Sequence, residues 1–321
     1  MIRPLFRIFR KIPVARSVSR YSKRVSLPGF EGLSLYEVAV FFGKGLSRGG
    51  LQIRASSMAY NFFLAIFPAI IFLFTLIPYI PIHNFQDQLF ETIRSVMPRN
   101  AWLTIEDTVT QVIHQQNSSL LSIGVLAALF FSTNGLTSMM GAFNKSIHVK
   151  EVRAMWKQRL IAMAFVLWLA VVLIAGVTVI VGSELFLPRI MKEGSFESGL
   201  LWVGKWLVVA ALFMLTIGVY YRYGPSQRMH RKLLSPGVLL ASLLIIMTSI
   251  GFAWYVNNFG RYNKLYGSIG SVIILLIWIY YNSMMLLIGF ELDAAITGAK
   301  ENRRTLLEQE EAEMKREAEQ I

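Results

Sequence analysis

Six long stretches of this chain carry almost no charge, and nothing else in it constrains the fold as strongly. The apolar hearts lie at residues 59–82, 120–143, 160–182, 200–221, 237–256 and 267–290, with Lys205 the one charge inside them. A bilayer's hydrocarbon core is roughly 30 Å thick and a helical residue rises about 1.5 Å, so some 20 apolar residues cross it. The runs are continuous rather than alternating, which implies helices and not a barrel. Composition agrees, at 55% hydrophobic and 16% charged, where soluble domains carry about 25% charged residues. The expected class is all-α: a polytopic membrane protein with a six-transmembrane-helix bundle.

Orientation follows from the basic residues. Residues 1–54, 145–159, 222–235 and 291–321 hold 25 Lys and Arg, whereas the intervening connections hold 6. Lys and Arg accumulate on cytoplasmic loops, so both termini are expected in the cytoplasm. Three parts result: a basic N-terminal segment 1–54, a membrane domain 55–290 and a charged tail 291–321. The net charge of +13 suits anionic lipid head groups at the cytoplasmic face, and no nucleic-acid partner is expected. Basic residues run from Arg3 to Arg24 without the apolar core of a signal peptide, which reads as a basic tail.

Several segments outside the spans are amphipathic. Arg3, Arg7, Arg10 and Lys11 alternate with Leu5, Phe6, Phe9 and Ile12, and Leu33 to Leu46 carries Tyr36, Val38, Phe41 and Phe42. Both fit helices lying at the membrane surface. In the outer loop 83–118, Leu89, Phe90, Ile93, Val96 and Met97 mark one apolar helix face and Trp102, Ile105, Val109, Val112 and Ile113 a second. From Lys300 to Ile321 the chain is Glu, Lys and Arg with few apolar residues, a solvated helix or a disordered tail.

Polar groups inside a bilayer are costly and often functional. Ser132, Thr133 and Asn134 in span two, with Asn61 in span one and Asn282 in span six, form a candidate polar path, although hydroxylated residues also serve helix packing. At the cytoplasmic edge, Arg54, Arg222, Glu291 and Asp293 share one level, as an ion-pair belt or as charges at a mouth. Pro68 and Pro78 interrupt span one. Catalysis has little support. The chain has no Cys, and the topology splits His83, His114, His148 and His230 between the two sides. No nucleophile elbow, phosphate loop or dinucleotide fingerprint occurs, so no enzyme activity, metal or cofactor is expected.

Landmarks in order along the chain carry a resemblance. Arg54-Ala55 through Ala59-Tyr60 ends in Phe67-Pro68, Asn144 follows span two, Pro236-Gly237 opens span five and Tyr255 closes it. Tyr266-Gly267-Ser268-Ile269-Gly270, Trp278-Ile279-Tyr280 and Gly289-Phe290-Glu291-Leu292 then mark span six. Over residues 35–297 this resembles the YihY/BrkB family of bacterial inner-membrane proteins. The resemblance implies structural roles for Tyr60, Pro68, Pro236, Gly237, Tyr255, Gly267, Gly270, Trp278 and Gly289. Phe290 stands where the family usually has a small residue, which bears on how closely that turn packs. The family is linked to envelope integrity and resistance to host killing, and some members look like transporters of lipids or lipopolysaccharide precursors. It has also carried the label of a tRNA-processing ribonuclease BN, which the lack of clustered carboxylates and His disfavours. Three functions stand in order: transport or handling of a lipid or envelope precursor, a non-transporting envelope scaffold, and a ribonuclease. Substrate, coupling ion and oligomeric state have no signature in the sequence.

Overall fold

The computed structural model describes residues 28–48, 50–76, 118–146, 149, 153–190, 196–227, 233–258 and 268–319, with isolated positions between 87 and 110. Among these, seven helices follow one another and no strand occurs: α1 (Leu35–Arg48), α2 (Leu51–Leu76), α3 (Ser118–Asn144), α4 (Met155–Ile190), α5 (Phe196–Tyr223), α6 (Pro236–Asn258) and α7 (Ser268–Glu319). α2 to α7 are long and apolar enough to cross a membrane, giving the six expected spans. The amphipathic patterns at Arg3–Ile12 and in the 83–118 loop, Phe90 excepted, together with Pro78, Gly267 and all four His, lie outside the described residues.

Three boundaries differ from the hydropathy reading, each because a charged helical turn is invisible to it. α2 starts at Leu51, so Arg54 sits inside its first turn. α4 starts at Met155 and takes in Lys157, Gln158 and Arg159, counted by charge with the preceding loop. α7 does not stop at residue 290; one helix of 52 residues runs on through the charged tail to Glu319.

Local chemistry sets the helix starts. Ser34 caps α1 through a capping box: its hydroxyl accepts from Glu37 N (3.2 Å) and Glu37 Oε2 accepts from Ser34 N (2.9 Å). Ser235 caps α6, its Oγ accepting from Val238 N (3.2 Å), and Pro236 takes the first helical position, where its missing N–H is not needed. Between α1 and α2, Gly50 adopts φ 58°, a left-handed conformation that costs glycine little.

The spans close into a ring in chain order, each packing on its chain neighbours and α7 returning to α2. The buried core occupies one end of this ring, its base. There Met58, Met139, Met140, Phe143, Ala162, Phe165, Tyr220, Tyr221, Val238, Leu287 and Phe290 draw all six spans together. Phe290 stacks on Phe143 at 4.3 Å and both meet Tyr221 edge-on. The bulk of Phe290 is thus absorbed by the aromatic cluster, and Gly289 beside it supplies the small residue. At the other end, the rim, side chains such as Leu126 (67% exposed) and Ile250 (66% exposed) face outward.

α1 does not stand alone. Phe30, Leu33 and Val38 pack on Ile296 and Ala299 of α7, just beyond the base, and Lys300 pairs with Glu31. The apolar face expected to lie on a membrane surface is therefore at least partly covered by protein.

Candidate functional site

The base holds a buried ionic lock. Arg54 reaches from the first turn of α2 to Glu291 on α7, with side-chain exposures of 3% and 0%. Its second amino group donates to the Ala142 carbonyl of α3 at 3.0 Å. Ser146, just past α3, donates its hydroxyl to the other Glu291 oxygen at 2.9 Å. Desolvating two charges costs several kcal/mol each, and the pair is tolerable only because its remaining polar atoms are mostly satisfied. Among the described residues Arg54 Nε has no acceptor. The lock therefore fixes the ends of α2, α3 and α7 relative to one another.

Asp293, one half-turn further on, does a different job. Its carboxylate accepts from Gly237 N (2.8 Å) and from the Ser235 hydroxyl. A carboxylate at a helix N-terminus meets unpaired N–H groups and the positive end of the helix dipole, so Asp293 pins the start of α6 to α7. Two glycines allow the approach. A Cβ at Gly237 would lie 2.3 Å from the Gly289 carbonyl, and one at Gly289 would lie 2.5 Å from the Gly237 carbonyl and from the Ala241 Cβ. Tyr221 closes the corner by donating its hydroxyl to the Leu286 carbonyl.

A third set of bonds ties the loops at the base. Arg153 donates to the carbonyls of Tyr223 (3.2 Å) and Pro225 (2.9 Å), and Asn144 accepts from Ser226 N (2.7 Å). Arg222, grouped by level with Arg54 and the two acids, stacks over the Tyr223 ring at 5.3 Å.

The polar-path residues divide. Asn61 donates to the Ser57 carbonyl (2.8 Å) and to Ser138 Oγ (3.3 Å), joining α2 to α3. Thr133 turns back on its own helix, bonding the Leu129 and Phe130 carbonyls at 2.8 Å. Ser132 and Asn134 are half-buried beside it. Asn282 sits apart, donating to the Trp278 carbonyl (2.8 Å) and accepting from Ser249 (3.3 Å) of α6. These groups do not form one bonded chain. They do share a layer, just rimward of the packed core that includes Met58, Met139 and Leu287.

Of the remaining family-motif residues, Pro68 is buried within α2 and Gly270 is buried at the start of α7. Tyr60 is more than half exposed, and Tyr255 and Trp278 are partly exposed at 47% and 39%. Ser146 and Ser235, which complete the two carboxylate sites, went unnoticed in the sequence. The Ser-Pro-Gly run at 235–237 was the available signal, since it spells a cap followed by a first-turn proline.

Residues 43–314 match the family model described as virulence factor BrkB. The putative ribonuclease-like protein YfkH of Bacillus subtilis is 29% identical over 76% of this chain and 90% of its own length. A UPF0761 membrane protein of Alteromonas mediterranea is 26% identical over 82% of this chain and 88% of its own. One from Psychromonas ingrahamii is 25% identical over 81% and 88%. No solved structure matches. With six spans in place and the match running from α1 into the far end of α7, the chain belongs to the BrkB family of membrane proteins.

Proposed function

We propose that this protein moves or hands over a lipid or envelope precursor at the bacterial cytoplasmic membrane, with the base and both termini on the cytoplasmic side and without enzymatic chemistry. One observation carries the reading: the ring is sealed at its base and loosely packed at its rim, with a layer of amides and hydroxyls where the two meet. Such a layer offers hydrogen bonds to a polar head group while the apolar walls suit acyl chains. The sealed base keeps water and ions from leaking through. The test is reconstitution of the full chain into liposomes with fluorescent phospholipids, following transbilayer movement. Movement faster than with an unrelated six-span protein, slowed by Asn134→Ala or Asn61→Ala in protein that inserts normally, is the expected result. Rates equal to protein-free liposomes for every lipid tested overturn it.

A scaffold is the second reading, favoured by the exposed, charged end of α7 that runs past the base. It requires that deleting residues 300–321 abolish function while the polar substitutions are silent.

A further inference from the structure

The groove between α3 and α4 holds polar side chains that neither the lock nor the helix caps use. Arg159 lies in the second turn of α4. Its depth can be read from its neighbour: Gln158 donates to the Thr137 carbonyl at 3.2 Å. Thr137 is two turns, roughly 10 Å, inside the end of α3 at Asn144. From there the Arg159 guanidinium stands 5.8 Å over the Phe130 ring, which belongs to a position two turns deeper still. The side chain therefore points along the span toward its middle, not back toward the nearer surface where a basic residue usually snorkels.

A charge at such depth is costly and marks a functional site by default; the ring face offsets part of the cost. Among the described residues no carboxylate and no hydrogen-bond acceptor meets this guanidinium. Phe130, Asn134 and Thr137 follow at i, i+4 and i+7, so they share one face of α3. On that face the Asn134 amide makes no side-chain hydrogen bond among the described residues, and the Thr137 hydroxyl is buried without a partner. Three unmet polar side chains thus face one groove: a guanidinium, an amide and a hydroxyl. None carries negative charge, and all three can donate.

The geometry points to a site for the phosphate of a membrane phospholipid in the α3–α4 groove, with Arg159 as the charged anchor and Asn134 and Thr137 as donors. A guanidinium fork matches two phosphate oxygens, and the exposed position of Arg159 lets a lipid enter from the bilayer without passing the sealed base. This rests on the lipid-handling reading and names its substrate class: lipids carrying a phosphodiester, in preference to neutral lipids of the same chains.

The full chain in detergent is titrated with phosphatidylglycerol and with diacylglycerol of identical acyl chains, and bound lipid is counted by native mass spectrometry. Wild type is expected to prefer phosphatidylglycerol. Arg159→Gln should weaken that binding roughly tenfold, the loss of one charged hydrogen-bonding partner, and leave diacylglycerol unchanged. Arg159→Lys, a point charge in place of the fork, should retain only part of it, and Lys157→Gln, which removes a nearby cation outside the groove, all of it. Equal phosphatidylglycerol binding by Arg159→Gln and wild type overturns the site. So does displacement of the lipid by millimolar inorganic phosphate, which would make the ligand a soluble anion. Phosphate-selective binding that needs Arg159, in a protein that moves no lipid, keeps the site and removes the transport reading. Lipid movement that ignores Arg159 does the reverse.

Discussion

The base and the rim of the ring are built from similar apolar residues, yet only the base is a packed core. Met58, Met140, Phe143 and Phe290 at the base are fully buried, whereas Leu126 and Ile250 towards the rim are about two-thirds exposed. The difference lies in what accompanies the hydrophobic residues. Lipid tails are as apolar as Leu, so burying Leu against Leu drives little association inside a bilayer. The base is held by what lipid cannot replace: the Arg54–Glu291 pair, the Asp293 cap, two glycines in close contact and stacked aromatic rings. Among the described residues the rim has few such devices, and its helices expose much of their apolar surface.

Removing one partner of the lock should break the contrast most. Arg54→Ala leaves Glu291 buried and unpaired, at an expected cost of about 3–5 kcal/mol. Denaturant unfolding in detergent measures it, and Arg54→Met with Glu291→Leu together should recover much of the loss. A neutral single variant would mean that the pair does not hold the base. Next comes Gly289→Ala, whose Cβ has no room against Gly237 and Ala241. Overpacking of this kind costs about 1–3 kcal/mol, and a disulfide placed across the bases of α6 and α7 should form more slowly. At the rim, Leu173→Ala on α4, at a position that faces outward, should change stability by less than about 0.5 kcal/mol. An effect as large as that of Gly289→Ala would erase the distinction between the two ends.

A further effect, local to one helix start, concerns α1. Hydrogen bonds from the Ser34 backbone and hydroxyl hold the Glu37 carboxyl below its ordinary value. A lowered folded-state value means the cap stabilises above the ordinary carboxylate range and loses its effect as pH falls through the lowered value. Ser34→Ala should cost α1 about 1 kcal/mol at neutral pH. Hydrogen exchange of residues 35–48 should show that gap closing in acid.

The spans were readable in the sequence because uncharged runs of membrane length have no other stable use in water. The lock was half readable: Arg54, Glu291 and Asp293 stood at one level, but pairing depends on helix rotation, which hydropathy does not encode. Arg222 shared the level and stacks over Tyr223. Arg159 was hidden by its own charge. A rule that ends a span at the first cation moves such a residue into the loop, although the helix begins at Met155. Asn134 stood out by composition, yet that it meets no side-chain partner among the described residues is a fact of three dimensions.

One helix carries Glu291 at the base and continues to Glu319 without a break. The distance between them is about 42 Å at 1.5 Å per residue. α7 is thus a lever with its fulcrum at the lock: a tilt of about ten degrees there sweeps the far tip through roughly 7 Å. A fluorophore on that tip would amplify, in the aqueous phase, any rearrangement of the lock.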